Sequence, residues 1–369
     1  MPSLRIEFAP QRQRLVPKQN TLLRLIDNSG RRVGHLRDAY ITTSTTAPVT
    51  KSFGNPLRLR LRLRLRLARV NVHIIYRKRL ITAAKMPVAP VIALSHGGGP
   101  LPVLGDEDHE SIIYSLRNRI PKILGLGTPS GPRAIVLVTA HWSTDVPTVS
   151  SSAHHDLYYD YYGFPAESYS LKYPASGDAE VAREIKSLLD AEGLAGKLDP
   201  KRGWDHGVFI PMLLINPAAD VPIVQVSVLE SEDPERHLRM GAALARLREK
   251  NIAIIGSGFA SLHNLMEMRN LTTRGPGFAR EFKALSDEWN DALTGAATKE
   301  GRDERWSGLK AWRTMPHVDR MHPPRAGEHF MPLLVCAGAA GDGEKARLYK
   351  DAFMGVDIFT YYWGAEEVD

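Results

Sequence analysis

Three histidines of this chain stand where a predicted strand ends, a position from which their imidazoles could reach one metal ion. His96 ends the first predicted strand, His141 ends the second, and His263 lies just beyond the fourth. In open α/β sheets, ligands bind outside the carboxyl ends of the strands, so side chains from several strand ends can meet there. The single cysteine, Cys336, excludes a multi-cysteine cluster, so a metal would be bound by His, Asp or Glu.

Further candidates lie outside the predicted strands. His206 stands between glycines and before a predicted helix, and Glu328 and His329 stand at the start of a late apolar helix. Each of these residues also has a purely structural interpretation, as a turn residue, a helix cap or a surface histidine. Their convergence is therefore a hypothesis, because contacts between distant residues are not visible in one sequence. The remaining histidines apart from His155 are interpreted as packing or solvent-facing residues: His35, His73, His109, His154, His237, His317 and His322.

The elements that would position these residues alternate between strands and helices. This alternation predicts an α/β fold: a single globular domain with a central, mostly parallel or mixed sheet, flanked by helices on both faces. Asp106 is predicted to cap an early helix. The predicted strands cover residues 90–95, 134–140, 222–228 and 252–256, and the later predicted helices cover 234–250, 278–293 and 330–337.

The net charge of +7 is unevenly distributed along the chain. Residues 1–85 contain 19 Lys and Arg against 3 Asp and Glu, a net charge of +16. Subtraction from the totals leaves 48 − 19 = 29 basic and 41 − 3 = 38 acidic residues in 86–369, a net charge of −9. The basic character therefore belongs to the first segment, and we expect no binding of nucleic acid by the acidic body.

Residues 1–85 have the composition of a low-complexity leader. Leu and Arg alternate over residues 57–67, and Ser and Thr cluster around residues 42–46. We expect this leader to be disordered, and residues 86–369 to form the catalytic domain. Three interpretations of the leader stay open: a mis-assigned start with translation beginning at Met86, an organelle transit peptide, or a real domain. We expect a cytoplasmic protein, or a mitochondrial one if the transit peptide is real, with no membrane span because no run of about 18 apolar residues occurs.

Six segments occur in the order seen in class III extradiol ring-cleavage dioxygenases of the LigB superfamily. The sequence is most similar to the DOPA 4,5-dioxygenase type within this family, and the resemblance runs from about Val88 to the C-terminus. One His-Gly pair would be a weak signal, whereas six ordered segments are a strong one. The segments are LSHGGGP (94–100), TAHW (139–142), YGFP (162–165), WDHG (204–207), LHNL (262–265) and EHFMPL (328–333).

The resemblance implies one divalent metal per chain. His96 and His141 would be two of its ligands, and the third would come from Glu328 or His329. Glu328 would complete the two-histidine, one-carboxylate set of Fe(II) oxygenases, whereas His329 would give an all-imidazole set that equally suits Zn(II). We favour His329, with Fe(II) expected for activity and Zn(II) as the alternative bound ion.

The resemblance also implies roles for residues around the metal. His263 would be the acid/base catalyst, and it could lie near enough to the metal to be a fourth ligand. His206 would help to hold substrate or oxygen. The segment with Tyr162 and Phe164 would line the entrance, and His155 is a further candidate for contact with substrate.

The implied reaction opens a catechol-type ring, of DOPA or another catechol, with O₂ to a semialdehyde product. A catechol must lose protons to chelate a metal, and histidine titrates near the working pH. A homo-oligomer is compatible with the sequence. The alternative is a zinc-binding protein without oxygenase activity on the same fold, either a Memo-like binding protein or a hydrolase. A serine hydrolase is disfavoured because the chain has no Gly-x-Ser-x-Gly motif.

Overall fold

The computed structural model describes residues 88–369 and three short strands of the leader. The chain divides into two units, Met1–Ile74 and Ile75–Asp369. In the first, the strands Arg5–Glu7 (β1), Leu23–Ile26 (β2) and Arg32–Leu36 (β3) form an antiparallel sheet in that order. The Leu/Arg run at 57–67 and the Ser/Thr cluster at 42–46 lie outside the described residues, so the interpretation of the leader stays a prediction.

One eight-stranded sheet is the framework of the second unit. Its strands are Val91–Ser95 (β4), Ala134–Thr144 (β5), Thr148–Ser150 (β6), Lys197–Asp199 (β7), Ile223–Leu229 (β8), Ile252–Gly258 (β9), Arg347–Phe353 (β10) and Val356–Trp363 (β11). They lie in the order β10-β11-β4-β9-β5-β8-β6-β7. The central strands β4, β9, β5 and β8 are parallel, while β11 joins β4, β10 joins β11 and β6 joins β8 in antiparallel pairs. The sheet is therefore mixed with a parallel centre, as predicted.

The helices connect these strands and cover the sheet. They are Leu101–Leu104 (α1), Glu110–Tyr114 (α2), Ile120–Leu124 (α3), Ala179–Ala191 (α4), His206–Ile215 (α5), Pro234–Arg248 (α6), Leu265–Thr273 (α7), Gly275–Ala297 (α8), Arg302–Lys310 (α9), Val318–Met321 (α10) and Met331–Ala339 (α11). A π-helical turn, Ser115–Arg119, joins α2 to α3. Among the described residues, no helix combines the length and the apolar composition needed to cross a bilayer.

The central strands are covered by helices on both faces. Every residue of β8 and β9 is buried, the pattern of strands that lie inside a parallel sheet. Successive residues of a strand point to opposite faces. On β9, a Cβ on Gly256 would meet α11 at Cys336 Sγ, whereas Ser257 on the other face donates a hydrogen bond to Gly207 O of α5. The predicted fold class is confirmed, with α5 and α11 on opposite faces.

Two local predictions were wrong. The strand β5 does not end at His141 but continues to Thr144, with a register irregularity against β8 between Thr139 and Ser143. Asp106 makes no side-chain hydrogen bond to a helix N-terminus; its carboxylate accepts instead from His109 Nδ1 at 2.6 Å. His109, which is buried, accepts from Gly98 N at 2.9 Å through its other ring nitrogen, so it supports the glycine-rich loop that follows His96.

The helices α6 and α11 approach each other through glycine. A Cβ built on Gly241 of α6 would lie 2.0 Å from Val335 O of α11, and one built on Gly338 of α11 would lie 2.1 Å from Leu238 O of α6. Each glycine therefore faces the backbone of the partner helix, which cannot move as a flexible side chain can. Because α11 begins directly after His329, this packing also sets the position of that histidine.

We predict that Gly241→Ala destabilises the protein by about 1–3 kcal/mol, because the new methyl group would push two packed helices apart. The control is Gly295→Ala on α8, where an added Cβ meets nothing within 4 Å. Since alanine has the higher helix propensity, the control is expected to gain up to about 1 kcal/mol. Denaturant unfolding followed by circular dichroism measures both variants. A Gly241→Ala protein as stable as the unchanged chain would contradict the close packing.

Candidate metal centre

The carboxyl edge of the parallel strands brings five histidines together. His96 follows β4, His141 lies in β5, His206 begins α5, His263 follows β9, and His329 precedes α11. The rings of His141 and His206 have centroids 3.8 Å apart, and those of His263 and His329 are 3.3 Å apart. His141 and His329 are 4.7 Å apart, and His96 lies 5.0 Å from His141 and 5.3 Å from His329. The five rings thus form an arc, which we call the histidine arc, with His206 at one end and His263 at the other.

Three members of the histidine arc point the same ring atom at one place. The Nε2 atoms of His96 and His141 are 3.1 Å apart, and those of His141 and His329 are 3.2 Å apart. Potential ligand atoms of all three lie within 4.8 Å of one another. For metal–nitrogen bonds of about 2.1 Å, neighbouring ligands in tetrahedral or octahedral coordination are separated by about 3.0–3.4 Å. The spacing of the Nε2 atoms is therefore that of ligands sharing one ion.

The opposite nitrogen of His96 shows which ring atom carries its proton. Ser257 Oγ donates its only proton to Gly207 O, so it can only accept at its 3.0 Å contact with His96 Nδ1. His96 therefore carries its proton on Nδ1, and its Nε2 presents a lone pair. Ser257 therefore fixes the tautomer of His96, as residues behind metal-binding histidines usually do.

Carboxylates lie near the Nδ1 atoms of the other two rings, where His96 has Ser257. His329 Nδ1 donates to Glu328 Oε1 at 2.9 Å, and His141 Nδ1 lies 3.5 Å from Asp160 Oδ2. The Nδ1 atoms of His96 and His329 are thus hydrogen-bonded, and the carboxylate near His141 Nδ1 favours the same tautomer there. Three Nε2 lone pairs that face one another in this way repel unless a cation lies between them. The residues present therefore fit a divalent metal ion.

The protonation of these rings is suited to metal binding. Burial lowers the pKa of His96, His141 and His329 well below the usual range, and the neighbouring imidazoles lower it further. The three rings are consequently neutral at pH 7, the form that binds metal. Burial raises the pKa of the Glu328 carboxyl, which lies 3.6 Å from His263 Nδ1 as well as close to His329. The Nε2 atoms of His96, His141 and His329 are called here the Nε2 triple. The structure thus places His329 in the Nε2 triple and Glu328 beside the opposite nitrogen, Nδ1, of the same ring.

Asp160 is a site residue that sequence reasoning missed. Its Oδ1 accepts from both the Nδ1 of His206, at 2.8 Å, and the backbone N of His206, at 3.0 Å. Burial raises the pKa of the Asp160 carboxyl, but the hydrogen bonds that it accepts from His206, together with the nearby imidazoles of His206 and His141, outweigh this effect and lower the net pKa. No pattern marked this residue, because an acidic side chain in a tyrosine-rich segment is typical of a surface loop. Ser257 was missed as well, although a polar residue between two glycines at a strand end is a signal that could have found it.

A buried hydrogen-bond network connects β5, which carries His141, with β8 and with α5, which begins at His206. Asp205, which is fully buried, accepts from Thr139 Oγ1 at 2.7 Å, Gln225 Nε2 at 2.8 Å and Arg202 at 3.1 Å. Burial raises the pKa of its carboxyl. Thr139 Oγ1 also accepts from the backbone N of His141 at 3.1 Å. The network therefore ties β5, β8 and the start of α5 together directly behind the histidine arc.

His263 is next to the Nε2 triple without belonging to it. Its ring stacks on that of His329, and its potential ligand atoms group with those of Glu328 and His329 rather than with those of His96 and His141. Burial lowers the pKa of His263 to about 4. It is therefore neutral at pH 7 and able to accept a proton.

The three residues expected to contact substrate lie in different places. Phe164 covers the glycine loop, since a Cβ on Gly99 would be 3.1 Å from its ring. Tyr162 is 91% exposed. The ring of His155 stacks on Trp204 and its Nδ1 hydrogen-bonds to Arg202 O at 3.0 Å. Phe164 therefore borders the loop that carries His96, whereas His155 packs with residues outside the histidine arc.

Comparisons with known proteins agree with this geometry. Residues 90–360 match the sequence model of the family described as the catalytic LigB subunit of aromatic ring-opening dioxygenase. The chain is 60% identical to "Dioxygenase tasH" of Hapsidospora irregularis, over 78% of this chain and 89% of that protein. It is 34% identical to "4,5-DOPA dioxygenase extradiol" of Beta vulgaris, over 73% of this chain and 92% of that protein.

A solved structure shares the fold. The crystal structure of uncharacterized protein JW3007 from Escherichia coli K12 superposes with a TM-score of 0.57 at 27% sequence identity, covering 74% of this chain and 99% of that one. The family match spans every strand of the sheet from β4 to β9 and all five histidines of the arc. The chain belongs to the LigB family of aromatic ring-opening dioxygenases and is of the extradiol, DOPA-dioxygenase-like type.

Proposed function

We propose that the protein opens a catechol-type aromatic ring with O₂ at one divalent metal bound by His96, His141 and His329. The observation that carries this proposal is the set of three Nε2 lone pairs directed at one point, each with its Nδ1 backed by an oxygen. Fe(II) held there would bind the catechol and relay electrons from it to O₂, so that the catechol is the net reductant and the metal is unchanged overall. Both oxygen atoms enter the product, a ring-opened semialdehyde acid, so no nicotinamide or flavin is required.

The remaining residues of the arc would handle protons and orientation. His263, neutral and beside His329, would take a proton from the catechol hydroxyl and return it to the opened ring. His206, held by Asp160 at its Nδ1, would direct its other ring nitrogen at substrate or oxygen. Phe164 would bound the aromatic ring beside the glycine loop, and we keep Tyr162 and His155 as substrate-contacting candidates.

The identity of the metal and the identity of the catechol are the more specific parts of the proposal. Three imidazoles suit Zn(II) as well as Fe(II), so a zinc-binding protein without oxygenase activity is the second candidate. The Beta vulgaris relative is named for DOPA, and for this chain we propose DOPA or another catechol. We further propose that residues 86–369 contain the whole catalytic domain. The cellular compartment stays a prediction.

The first prediction from this proposal concerns the reaction itself. The full-length chain is loaded anaerobically with Fe(II) and mixed with a panel of catechols and then O₂. We expect a yellow ring-opened product and consumption of one O₂ for each catechol, measured by absorbance and an oxygen electrode. The zinc-loaded protein is the control and should be inactive. Tight Zn(II) binding with no turnover of any catechol would support the zinc-binding alternative instead.

The second prediction concerns the proposed ligands. His96→Ala and His141→Ala should each lose bound metal and activity together, because each removes one nitrogen from a three-nitrogen set. Metal content by elemental analysis and turnover with excess Fe(II) provide the two measurements. His154→Ala is the matched control, since this histidine is exposed and stands outside the arc. Full metal content in His96→Ala would refute the ligand assignment.

The third prediction separates acid/base catalysis from metal binding. His263→Ala should keep its metal, because its ring is not in the Nε2 triple, and lose roughly 10²–10⁴-fold in kcat. Steady-state kinetics and metal analysis of the same preparation distinguish the two effects. Unchanged kcat would rule out the acid/base role, and lost metal would make His263 a fourth ligand.

A further inference from the structure

Two carboxylates, Asp160 and Glu328, each have two histidines of the arc as neighbours, one a proposed metal ligand and the other an end of the arc. We propose that the two carboxylates are positioning residues with opposite tasks. Asp160 orients His206, at one end of the arc, towards the substrate, whereas Glu328 orients the ligand His329 towards the metal. The inference rests on the proposed function, because it assigns residues that serve the same site.

Asp160 makes its hydrogen bonds to the end of the arc and not to the ligand. Its Oδ1 accepts from His206 Nδ1 at 2.8 Å and from the backbone N of the same residue at 3.0 Å. Its other oxygen, Oδ2, lies 3.5 Å from His141 Nδ1, beyond the range of about 2.7–3.2 Å that N–H···O hydrogen bonds occupy. Removal of this carboxylate therefore releases the ring of His206, while His141 loses no hydrogen bond.

The segment that carries Asp160 is also bound to the segment that carries His206 through the backbone. Tyr158 N donates to Trp204 O at 2.7 Å, and Trp204 N donates in turn to Asp156 O at 2.9 Å. Asp160 N donates to Tyr158 O at 3.0 Å. Because these bonds do not involve the Asp160 side chain, a substitution at this position tests the side-chain hydrogen bonds alone.

Glu328 has the reverse arrangement. Its Oε1 accepts from His329 Nδ1 at 2.9 Å, whereas the Nδ1 of His263 is 3.6 Å from the same oxygen, outside hydrogen-bond range. Glu328 is therefore a hydrogen-bond partner of the ligand and only a neighbour of His263. Its loss would release the ring of His329, from which the metal would receive one of its three nitrogens.

The backbone next to Glu328 is held by other residues. Gly327 N donates to Glu232 Oε1 at 2.8 Å, and Glu232 Oε2 accepts from Arg313 Nη2 at 2.8 Å. Arg313 Nη1 also donates to His322 O at 2.7 Å. A substitution that removes the Glu328 carboxylate thus leaves the position of the chain unchanged, and its effect reports on the hydrogen bond to the ligand.

Metal affinity tests the task of Glu328 and requires no turnover. Zn(II) is titrated into the metal-free, full-length chain in competition with a chromophoric chelator. Glu328→Ala should weaken Zn(II) binding about 10–100-fold, the usual effect of losing the partner of a metal-binding histidine. Glu328→Gln should regain most of the affinity, because an amide oxygen can still accept from His329 Nδ1. Asp160→Ala should lose less than about tenfold, the lower end of that range.

Equal losses of Zn(II) affinity in Glu328→Ala and Asp160→Ala would overturn the proposal. So would a Glu328→Gln protein that binds Zn(II) as weakly as Glu328→Ala, since the carboxylate would then be a metal ligand itself.

Substrate measurements test the task of Asp160. In the Fe(II)-loaded chain at saturating metal, Asp160→Ala should lose about 10–100-fold in kcat/KM, and more than Glu328→Ala does. Asp160→Asn should recover most of the loss, because its amide oxygen can accept both hydrogen bonds of His206. The Zn(II)-loaded Asp160→Ala protein should also bind catechol more weakly, as measured by calorimetry. A larger loss of kcat/KM in Glu328→Ala, or an Asp160→Asn protein no better than Asp160→Ala, would contradict the assigned task.

Glu288→Gln is the matched control. Glu288 Oε2 accepts from His317 Nε2 at 2.8 Å, which is a carboxylate–histidine hydrogen bond outside the arc. Its Zn(II) affinity and kcat/KM should equal those of the unchanged chain. Circular dichroism checks the folding of every variant. Where an alanine variant does not fold, Asp160→Glu or Glu328→Asp takes its place, since each moves the carboxylate by one methylene.

The two proposals fail in different ways. If no Fe(II)-loaded form turns over any catechol, the proposed function is wrong, whereas the order of the Zn(II) affinities and of the catechol affinities still decides this inference. If the unchanged chain turns over catechol but the Asp160 and Glu328 variants show the same pattern of losses, the function stands and the opposite tasks do not.

Discussion

The structure of the site depends on one electrostatic constraint, the direction of three imidazole lone pairs at a common point. Neutral Nε2 atoms about 3 Å apart repel one another unless a cation lies between them, and the burial of His96 and His329 removes water that would otherwise screen them. Such an arrangement can persist only if each ring is held from behind. Ser257 and Glu328 do so through hydrogen bonds at Nδ1, which set the tautomer as well as the orientation, and the Asp160 carboxylate lies 3.5 Å from His141 Nδ1.

The fold supplies the rigidity that this arrangement requires. His96 and His141 come from neighbouring segments of a buried parallel sheet, while His206 and His329 stand at the starts of helices on opposite faces of it. Close contacts at Gly241 and Gly338 pack α11 against α6. The hydrogen bonds of Asp205 connect the start of α5 to β5 and β8. Together they hold the first residues of α5 and α11 next to the strand ends. Precision at the metal thus derives from packing some distance away from it.

The same arc suggests how one site divides its chemical tasks. In the proposed function, the middle of the arc would bind the metal, whereas His206 and His263 at its ends would remain available to substrate and protons. The two ends differ in their supports: His206 has a carboxylate partner at Nδ1, and His263 stacks on a proposed ligand.

The sequence by itself determined the family, the alternating α/β architecture and the five histidines, because strand periodicity and local motifs are properties of neighbouring residues. The sequence also favoured His329 over Glu328 as the third metal ligand, but only through the resemblance to the family. Tertiary structure decided what those residues face. It placed the Nε2 atoms together and put His141 inside a longer strand. It also showed that Asp106 hydrogen-bonds to His109, and that Asp160 and Ser257 hydrogen-bond to histidines of the arc. Apart from the Asp106–His109 pair, these features depend on contacts between residues far apart in the chain, up to the 188 positions that separate His141 from His329, and no local pattern encodes them.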